Sequence, residues 1–362
     1  EASFLRIRYR IDGMLRQIRS LHKTYWPAMA VRIKVLSGMN IAETRAPQDG
    51  RISLNMRGRQ IDFRVSAQPT IHGENIVLRI LDRQKGIVPL EGLGLAEKQL
   101  DQLKLMIARP EGIVFVTGPT GSGKTTTLYS VLNHINSESV NIMTLEDPVE
   151  YPMTLVRQTS AAESVKLDFA NGIRSMMRQD PDIILVGEVR DADTAEMALR
   201  AAMTGHQVYS TLHTNSAIGA IPRLLDIGVL PDIMAGNIIG IIAQRLVRRL
   251  CLHCKIPYQA EAHEARLLGN LIDGPRPVIY RPGGCERCEF QGYRGRLAIM
   301  ELLRINGDMD ELIARRSTVR EMRTLASRQG FATLADDGLR RVLDGSTALE
   351  EVGRVVDLTD RM

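Results

Sequence analysis

The sequence predicts an α/β chain in two parts, a small α+β unit followed by a larger unit built on a parallel sheet. Three observations carry this. Strand-like alternating runs crowd residues 1–85, continuous apolar runs alternate with helical stretches after about Gly112, and one strand–loop–helix junction holds a complete phosphate-binding pattern. At about 150 residues per domain, 362 residues imply two or three domains, and 44% hydrophobic with 25% charged residues excludes disordered, collagen-like and coiled-coil chains.

In FLRIRYRIDGMLRQI, Leu5, Ile7, Tyr9 and Ile11 alternate with Arg6, Arg8 and Arg10, so one strand face is apolar and the other cationic. Asp12-Gly13 suits a type I′ hairpin turn. Pro27 opens a helix reaching about Leu36, which Gly38 ends, and strands are expected at 52–56, 60–67 and 75–81. Around Phe63, the residues Ile61, Phe63 and Val65 share one face while Asp62, Arg64 and Ser66 share the other. Arg79 differs, with Val77 and Leu81 on its own side. Residues 84–95 carry three glycines and Pro89 and read as a linker, set at 86–96, between a domain at 1–85 and one at 97–362.

In the second part the runs at 113–116, 142–145, 183–186 and 208–212 are short, continuous and rich in β-branched residues, as strands buried on both faces are. A cysteine-bearing segment spans 251–288. The tail, 305–362, is expected to be helical: Gly330 and Gly345 stand where helices stop, and Thr347 with Glu350 has the spacing of a capping box for the last helix.

The pattern GPTGSGKTTT fits G-x-x-x-x-G-K-[ST] and follows the first buried run directly. Gly118, Pro119, Thr120, Gly121, Ser122 and Gly123 form the loop whose backbone N–H groups curl around phosphate oxygens, and Thr126 continues into the helix. Lys124 supplies positive charge to the β and γ phosphates and Thr125 can ligate Mg²⁺. Two later strands end in acids, one at Glu146 and Asp147, the other at Gly187 and Glu188. In a parallel sheet the strand C-termini lie together, so these acids converge on a nucleotide, with Glu188 polarising water and Glu146, Asp147 and Glu150 in a Mg²⁺ or water network. Many phosphate-loop enzymes carry a metal-binding Asp where this chain has Gly187. His213, in STLHTN, reaches the same plane, either as a γ-phosphate sensor or as a histidine satisfied by backbone. Arg174, Arg178 and Arg190 flank the acids, and Arg64 and Arg79 in the first unit are further candidates for charge on a departing phosphate. For each the plainer reading is a solvated or structural ion pair.

Cys251-x-x-Cys254 and Cys285-x-x-Cys288 suit tetrahedral Zn²⁺ in a closed, structural site, with a short helical hairpin filling the gap between the pairs and His253 outside the ligand set. Reduced free thiols and a disulfide are the alternatives. A net charge of +5 leaves nucleic acid or an anionic membrane surface open, but only 4% of residues are aromatic, so stacking platforms are not evident. The longest nearly uncharged apolar stretch, 233–243, is far short of the roughly 20 residues that span a bilayer, so membrane contact is expected to be peripheral.

GPTGSGKTTT, TLEDPVEY, MRQDPDIILVGEVRD, TGHQVYSTLHTN and the paired CLHC and CERC, in this order, resemble the type II secretion and type IV pilus assembly ATPases. The similarity extends through YRIDGML, RAPQDGRI and RVSAQP to RLAIMELL and DDGLRRVLDGSTALEEV. The resemblance implies a PAS-like second N-terminal domain followed by a RecA-like ATPase domain. It implies a cytoplasmic homo-hexamer, peripheral to the inner membrane, that hydrolyses ATP with Mg²⁺ and carries structural Zn²⁺. Inner-membrane platform proteins of a pilus or secretion machine are the implied partners, and no nucleic acid is expected. It gives γ-phosphate roles to Arg64 and Arg79, catalysis to Glu188, a histidine box ending at His213, an aspartate box at Glu146, Asp147 and Glu150, and further arginines at Arg174, Arg178, Arg190 and Arg296. An initial Glu1 and the missing ASDIHIE segment before FLRIRYR imply a piece of a longer chain. A pilus retraction ATPase is the rival inside the family, although those lack the four-cysteine element. A RecA-like nucleic-acid translocase is the rival from another class.

Overall fold

The computed structural model describes residues 1–56, 58–82, 87–161, 167–271 and 276–361. The chain divides into two units, Glu1–Gly86 and Ile87–Met362.

In the first unit β1 (Phe4–Ile11) and β2 (Met14–His22) form an antiparallel hairpin through Asp12 and Gly13, whose φ of 49° and 86° are the two left-handed positions of a type I′ turn. Next come α1 (Trp26–Leu36), with Pro27 in its first turn, and an antiparallel sheet of β3 (Gln48–Met56), β4 (Arg59–Thr70) and β5 (Gly73–Asp82) in that order. These strands run longer than the side-chain pattern indicated, because the ladder is closed by backbone groups whatever side chains they carry. Ile52, Val65 and Ala67 pack with Met39 and with Ile33 of α1. Lys34, buried on α1, sits 2.5 Å from the Glu74 carboxylate and donates to the Glu43 carbonyl, so its charge is compensated inside the unit.

The second unit opens with Leu90 and Leu93, buried beside α2 (Glu97–Ile107) and α3 (Lys124–Ile135). The stretch read as linker therefore anchors in the core from Leu90 onward, while residues 83–86 lie outside those described. The sheet has seven strands: β6 (Gly112–Thr117), β7 (Ile142–Glu146), β8 (Val156–Ser160), β9 (Ile183–Val186), β10 (Gln207–Leu212), β11 (Ile238–Leu250) and β14 (Tyr293–Arg304). Their order is β14-β11-β6-β10-β9-β7-β8, all parallel except β14, which runs antiparallel to β11. Ile113 and Phe115 point into one core, shared with α4 (Phe169–Met176), α5 (Ala192–Met203), α6 (Ala220–Asp226) and α7 (Pro231–Met234). Val114 and Val116 point into the other, against α2 and α3. A strand buried on both faces has no polar side to alternate, hence the continuous runs.

Between the cysteine pairs the chain forms β12 (Ile256–Gln259), α8 (Ala262–Leu268) and β13 (Val278–Arg281), with β12 and β13 antiparallel; a helical hairpin had been expected there. Tyr258 and Ile279, paired across the two strands, pack into a core with Leu268 of α8; the strands are too far apart in sequence for a local pattern to show. The tail is helical, with α9 (Gly307–Ala314), α10 (Val319–Arg328), α11 (Leu334–Leu343) and α12 (Leu349–Gly353). Capping boxes start α10 at Thr318 and α11 at Thr333, but none starts α12. The hydroxyl of Thr347 donates to the Arg248 carbonyl at 2.8 Å, and the Glu350 carboxylate accepts from Tyr293 at 2.8 Å, so tertiary partners took both residues.

Glu351 ties this tail to the sheet. Its buried carboxylate accepts from the backbone N–H and guanidinium of Arg248 on β11 and from Arg354. Burial pushes its pKa up, but the bonds from Arg354 and Arg248 outweigh it and hold the group below the ordinary carboxylate value. A lowered folded value contributes stability that is present above the unfolded pKa and is lost as pH falls through the folded one. Glu351→Gln is expected to destabilise the second unit by about 3 kcal/mol near neutral pH, since two guanidinium groups lose their counter-charge, with the gap from wild type closing on acidification. Thermal melts of both proteins from pH 7 downward check this; equal melting at pH 7 would refute it.

Candidate active site

Gly118 leaves the C-terminal end of β6, and the loop returns to start α3 at Lys124. Gly123 caps that helix with φ of 93°, a left-handed turn that directs the first free N–H groups of α3 back into the loop. A cradle of N–H groups at a helix N-terminus fits a di- or triphosphate. Lys124 sits at its mouth, with Nζ donating to the loop's own Gly118 carbonyl at 2.8 Å and to that of Pro119 at 3.4 Å. Partial burial lowers the Lys124 pKa, with Glu188 opposing and Arg245 adding to the fall. Thr125 is exposed at the loop's edge and Thr126 half-buried, while Ser122 is buried.

Glu188 follows β9 at the same sheet edge. One carboxylate oxygen lies 2.9 Å from Nε2 of His213, past the end of β10, and the other 2.8 Å from the guanidinium of Arg190. Three of the expected residues are thus in direct contact, and His213 contacts the acid. Gly187 has a packing reason for lacking a side chain: a Cβ there would stand 3.1 Å from Cα of Glu146 and 3.2 Å from the Leu145 carbonyl oxygen. An Asp at that strand end, usual elsewhere, would press on the β7 backbone, which would have to give by a few tenths of an ångström.

Glu146 sits differently from the other acids. It is buried, with one oxygen accepting from the Tyr129 hydroxyl at 2.5 Å and the other from Thr144 at 2.7 Å and Gln158 at 3.3 Å. Burial raises its pKa, against those three donors. Both oxygens are occupied by protein, which joins α3 to β7 and β8. Glu150 stands close by, its backbone N–H pointing at the same Tyr129 hydroxyl at 3.4 Å. Asp147 is half-exposed, 3.8 Å from Arg190. It lines a groove of about 730 Å³ with Phe169, Arg174, Arg190, Asp191 and Met197. Arg174 is held there by Asn171 at 2.6 Å. Arg178 does not line the groove and bonds the Arg174 carbonyl at 2.9 Å, while Arg296 lies exposed on β14 opposite Arg248.

In the first unit Arg64 and Arg79 are direct cross-strand partners on β4 and β5, and Arg51 on β3 faces Arg64 from the other side. The register thus lines up three arginines across the sheet. Arg51 was not singled out in the sequence; only the strand register reveals it.

The four cysteine sulfurs all lie within 4.8 Å of one another, at 3.9 Å for Cys251–Cys285, 3.7 Å for Cys254–Cys288 and 3.8 Å for Cys285–Cys288. A tetrahedron of thiolates about 2.3 Å from a zinc ion has edges of about 3.8 Å, so the donor set fits that metal, and none of the four is in a disulfide. Backbone N–H groups of Gly284, Cys285 and Gly292 point at Cys254 and Cys288 sulfurs at 3.2 to 3.3 Å, as they do toward thiolates. His253 faces Arg287 instead, at 3.0 Å. No helix among the described residues is long and apolar enough to cross a membrane.

Residues 1–354 match the model of a protein family described as type II/IV secretion system protein. The chain is 48% identical to type II secretion system protein E of Dickeya dadantii, across 97% of this chain and 70% of that one. It is 44% identical to type II secretion system ATPase E of Vibrio cholerae, across 97% and 69%. Among solved structures it resembles the pilus retraction motor PilT with bound ADP, at a TM-score of 0.65 and 28% identity, across 100% of this chain and 95% of that one.

Proposed function

We propose that this chain, which belongs to the type II/IV secretion system protein family, hydrolyses ATP with Mg²⁺ and uses the turnover to drive type II protein secretion. The observation that carries the reading is the joining of two halves at one sheet edge: a phosphate cradle with Lys124, and Glu188 gripped by His213 and Arg190. The relatives above are named as type II secretion proteins, which favours that system over pilus assembly or retraction.

In this mechanism backbone N–H groups from Gly118 to Thr126 bind the phosphates, and Lys124 exchanges its loop carbonyls for β and γ oxygens. Thr125 would hold Mg²⁺, which would supply charge to neutralise the phosphates. Glu188 takes the proton of the attacking water, which requires His213 or Arg190 to release one carboxylate oxygen first. Arg174 and Arg190 supply positive charge from the groove, Arg178 from the helix end behind it, and Arg64 and Arg79 from the first unit, in this copy or a neighbouring one. Asp147 and Glu150 order water at the site, and Glu146, locked by Tyr129, holds α3 in place. The four cysteines bind one structural zinc ion. The working assembly is a homo-hexamer, peripheral to the cytoplasmic face of the inner membrane and docked on platform proteins there.

The test is ATP turnover and nucleotide binding by the purified chain. Lys124→Ala is expected to lose both, whereas Arg64→Ala and Arg79→Ala lower turnover roughly tenfold or more with affinity nearly kept. Unchanged turnover in the two arginine variants removes them from the site.

A further inference from the structure

Two adjacent residues of β11 grip the two halves of this site from behind. Gln244 is buried, donating from Nε2 to the Ser122 carbonyl of the phosphate loop at 2.7 Å and accepting at Oε1 from Thr127 of α3 at 2.8 Å. The loop has been shaped to receive it: a Cβ on Gly118 would lie 2.6 Å from the Gln244 carbonyl oxygen, and one on Gly123 would lie 3.0 Å from its Nε2. The β11 backbone thus leaves no space for a side chain at Gly118, and Gly123 is packed tightly against the Gln244 amide. Arg245 is also buried, and its guanidinium donates to the carbonyl and side-chain oxygens of Asn215, at 2.9 and 3.2 Å, two residues past His213. A third bond, to the Gln244 carbonyl at 3.0 Å, fixes the fork to its own strand. Glu301, paired with Ala243 across the β11–β14 ladder, completes the hold: its carboxylate accepts from Ala217 at 2.6 Å and from Leu334 at the start of α11 at 2.8 Å.

We propose that Gln244 and Arg245 are positioning residues that set the phosphate loop and the His213 loop at a fixed separation, Gln244 governing nucleotide affinity and Arg245 governing the placement of His213 on Glu188. The inference rests on the ATPase reading above. Opposite signatures are expected from neighbouring positions on one strand, which a general packing defect does not give. Gln244→Met keeps the length and loses both bonds; nucleotide affinity falls roughly tenfold while turnover at saturation stays within about twofold. Arg245→Lys keeps the charge near Lys124 but loses the planar fork; turnover falls roughly tenfold or more with affinity within about threefold. Asn215→Ala, at an exposed position, removes only the side-chain end of the Arg245 grip. It is expected to follow Arg245→Lys more mildly, and it serves if a core variant fails to fold. Steady-state hydrolysis together with fluorescent-ADP binding measures both constants. If Gln244→Met and Arg245→Lys lower both constants together, or Asn215→Ala changes neither, the positioning role is overturned. If the unaltered chain neither binds nor hydrolyses ATP, the ATPase reading itself fails.

Discussion

Glu188→Gln is expected to cut ATP turnover by about three orders of magnitude while nucleotide affinity changes no more than a few-fold, in the range that loss of a general base produces. The substitution isolates basicity from geometry. An amide oxygen can still accept from Arg190, and the amide N–H₂ can donate to His213 in its other tautomer, so both contacts at 2.8 and 2.9 Å survive. What is lost is the ability to take a proton. Lys124 and the phosphate cradle are untouched, hence the preserved binding. Single-turnover hydrolysis and ADP binding on the same preparation give the two numbers, and unchanged turnover would make Glu188 a structural residue and assign the base to another group.

The other large effect concerns the cysteines. Purified protein is expected to carry close to one zinc per chain, and a strong chelator, or Cys288→Ser, to lower the melting transition by on the order of 10 °C. The backbone N–H groups of Gly284, Cys285 and Gly292 that point at sulfur lose their hydrogen-exchange protection at the same time. The effect spreads because the element hangs between β11, which ends at Leu250, and β14, which begins at Tyr293, the two strands that carry Gln244, Arg245 and Glu301. Elemental analysis without zinc, or melting unmoved by chelation, would return these cysteines to the class of reduced thiols.

Much of the site was legible before the structure because its chemistry is local. The loop at 118–126 needs its glycines, lysine and threonine in consecutive order, and each C-x-x-C pair needs only one turn of chain. What was illegible depends on partners distant in sequence. Gln244 meets Ser122, Glu301 meets Ala217 and Tyr129 meets Glu146, and in each pair neither residue type is unusual where it stands. The one local hint was a Gln-Arg pair closing the uncharged stretch 233–243, two strongly polar side chains where a buried strand would otherwise continue. The Thr347 cap failed for the same reason: spacing identified a local bond, and a carbonyl on β11 outcompeted it. The strand faces of the first unit were readable, whereas the row Arg51–Arg64–Arg79 needed the register.

By itself, the sequence determined the α/β class, the buried strands at 113–116, 142–145, 183–186 and 208–212, and the motifs whose spacing suits phosphate and metal, since periodicity and motif spacing are properties of contiguous chain. Tertiary structure alone decided that β11 enters the sheet beside the phosphate loop, that Glu188 rests between His213 and Arg190, and that Glu146 is spent on Tyr129. Each of these turns on which strand lies next to which, and on buried polar groups that must find partners wherever the fold brings them.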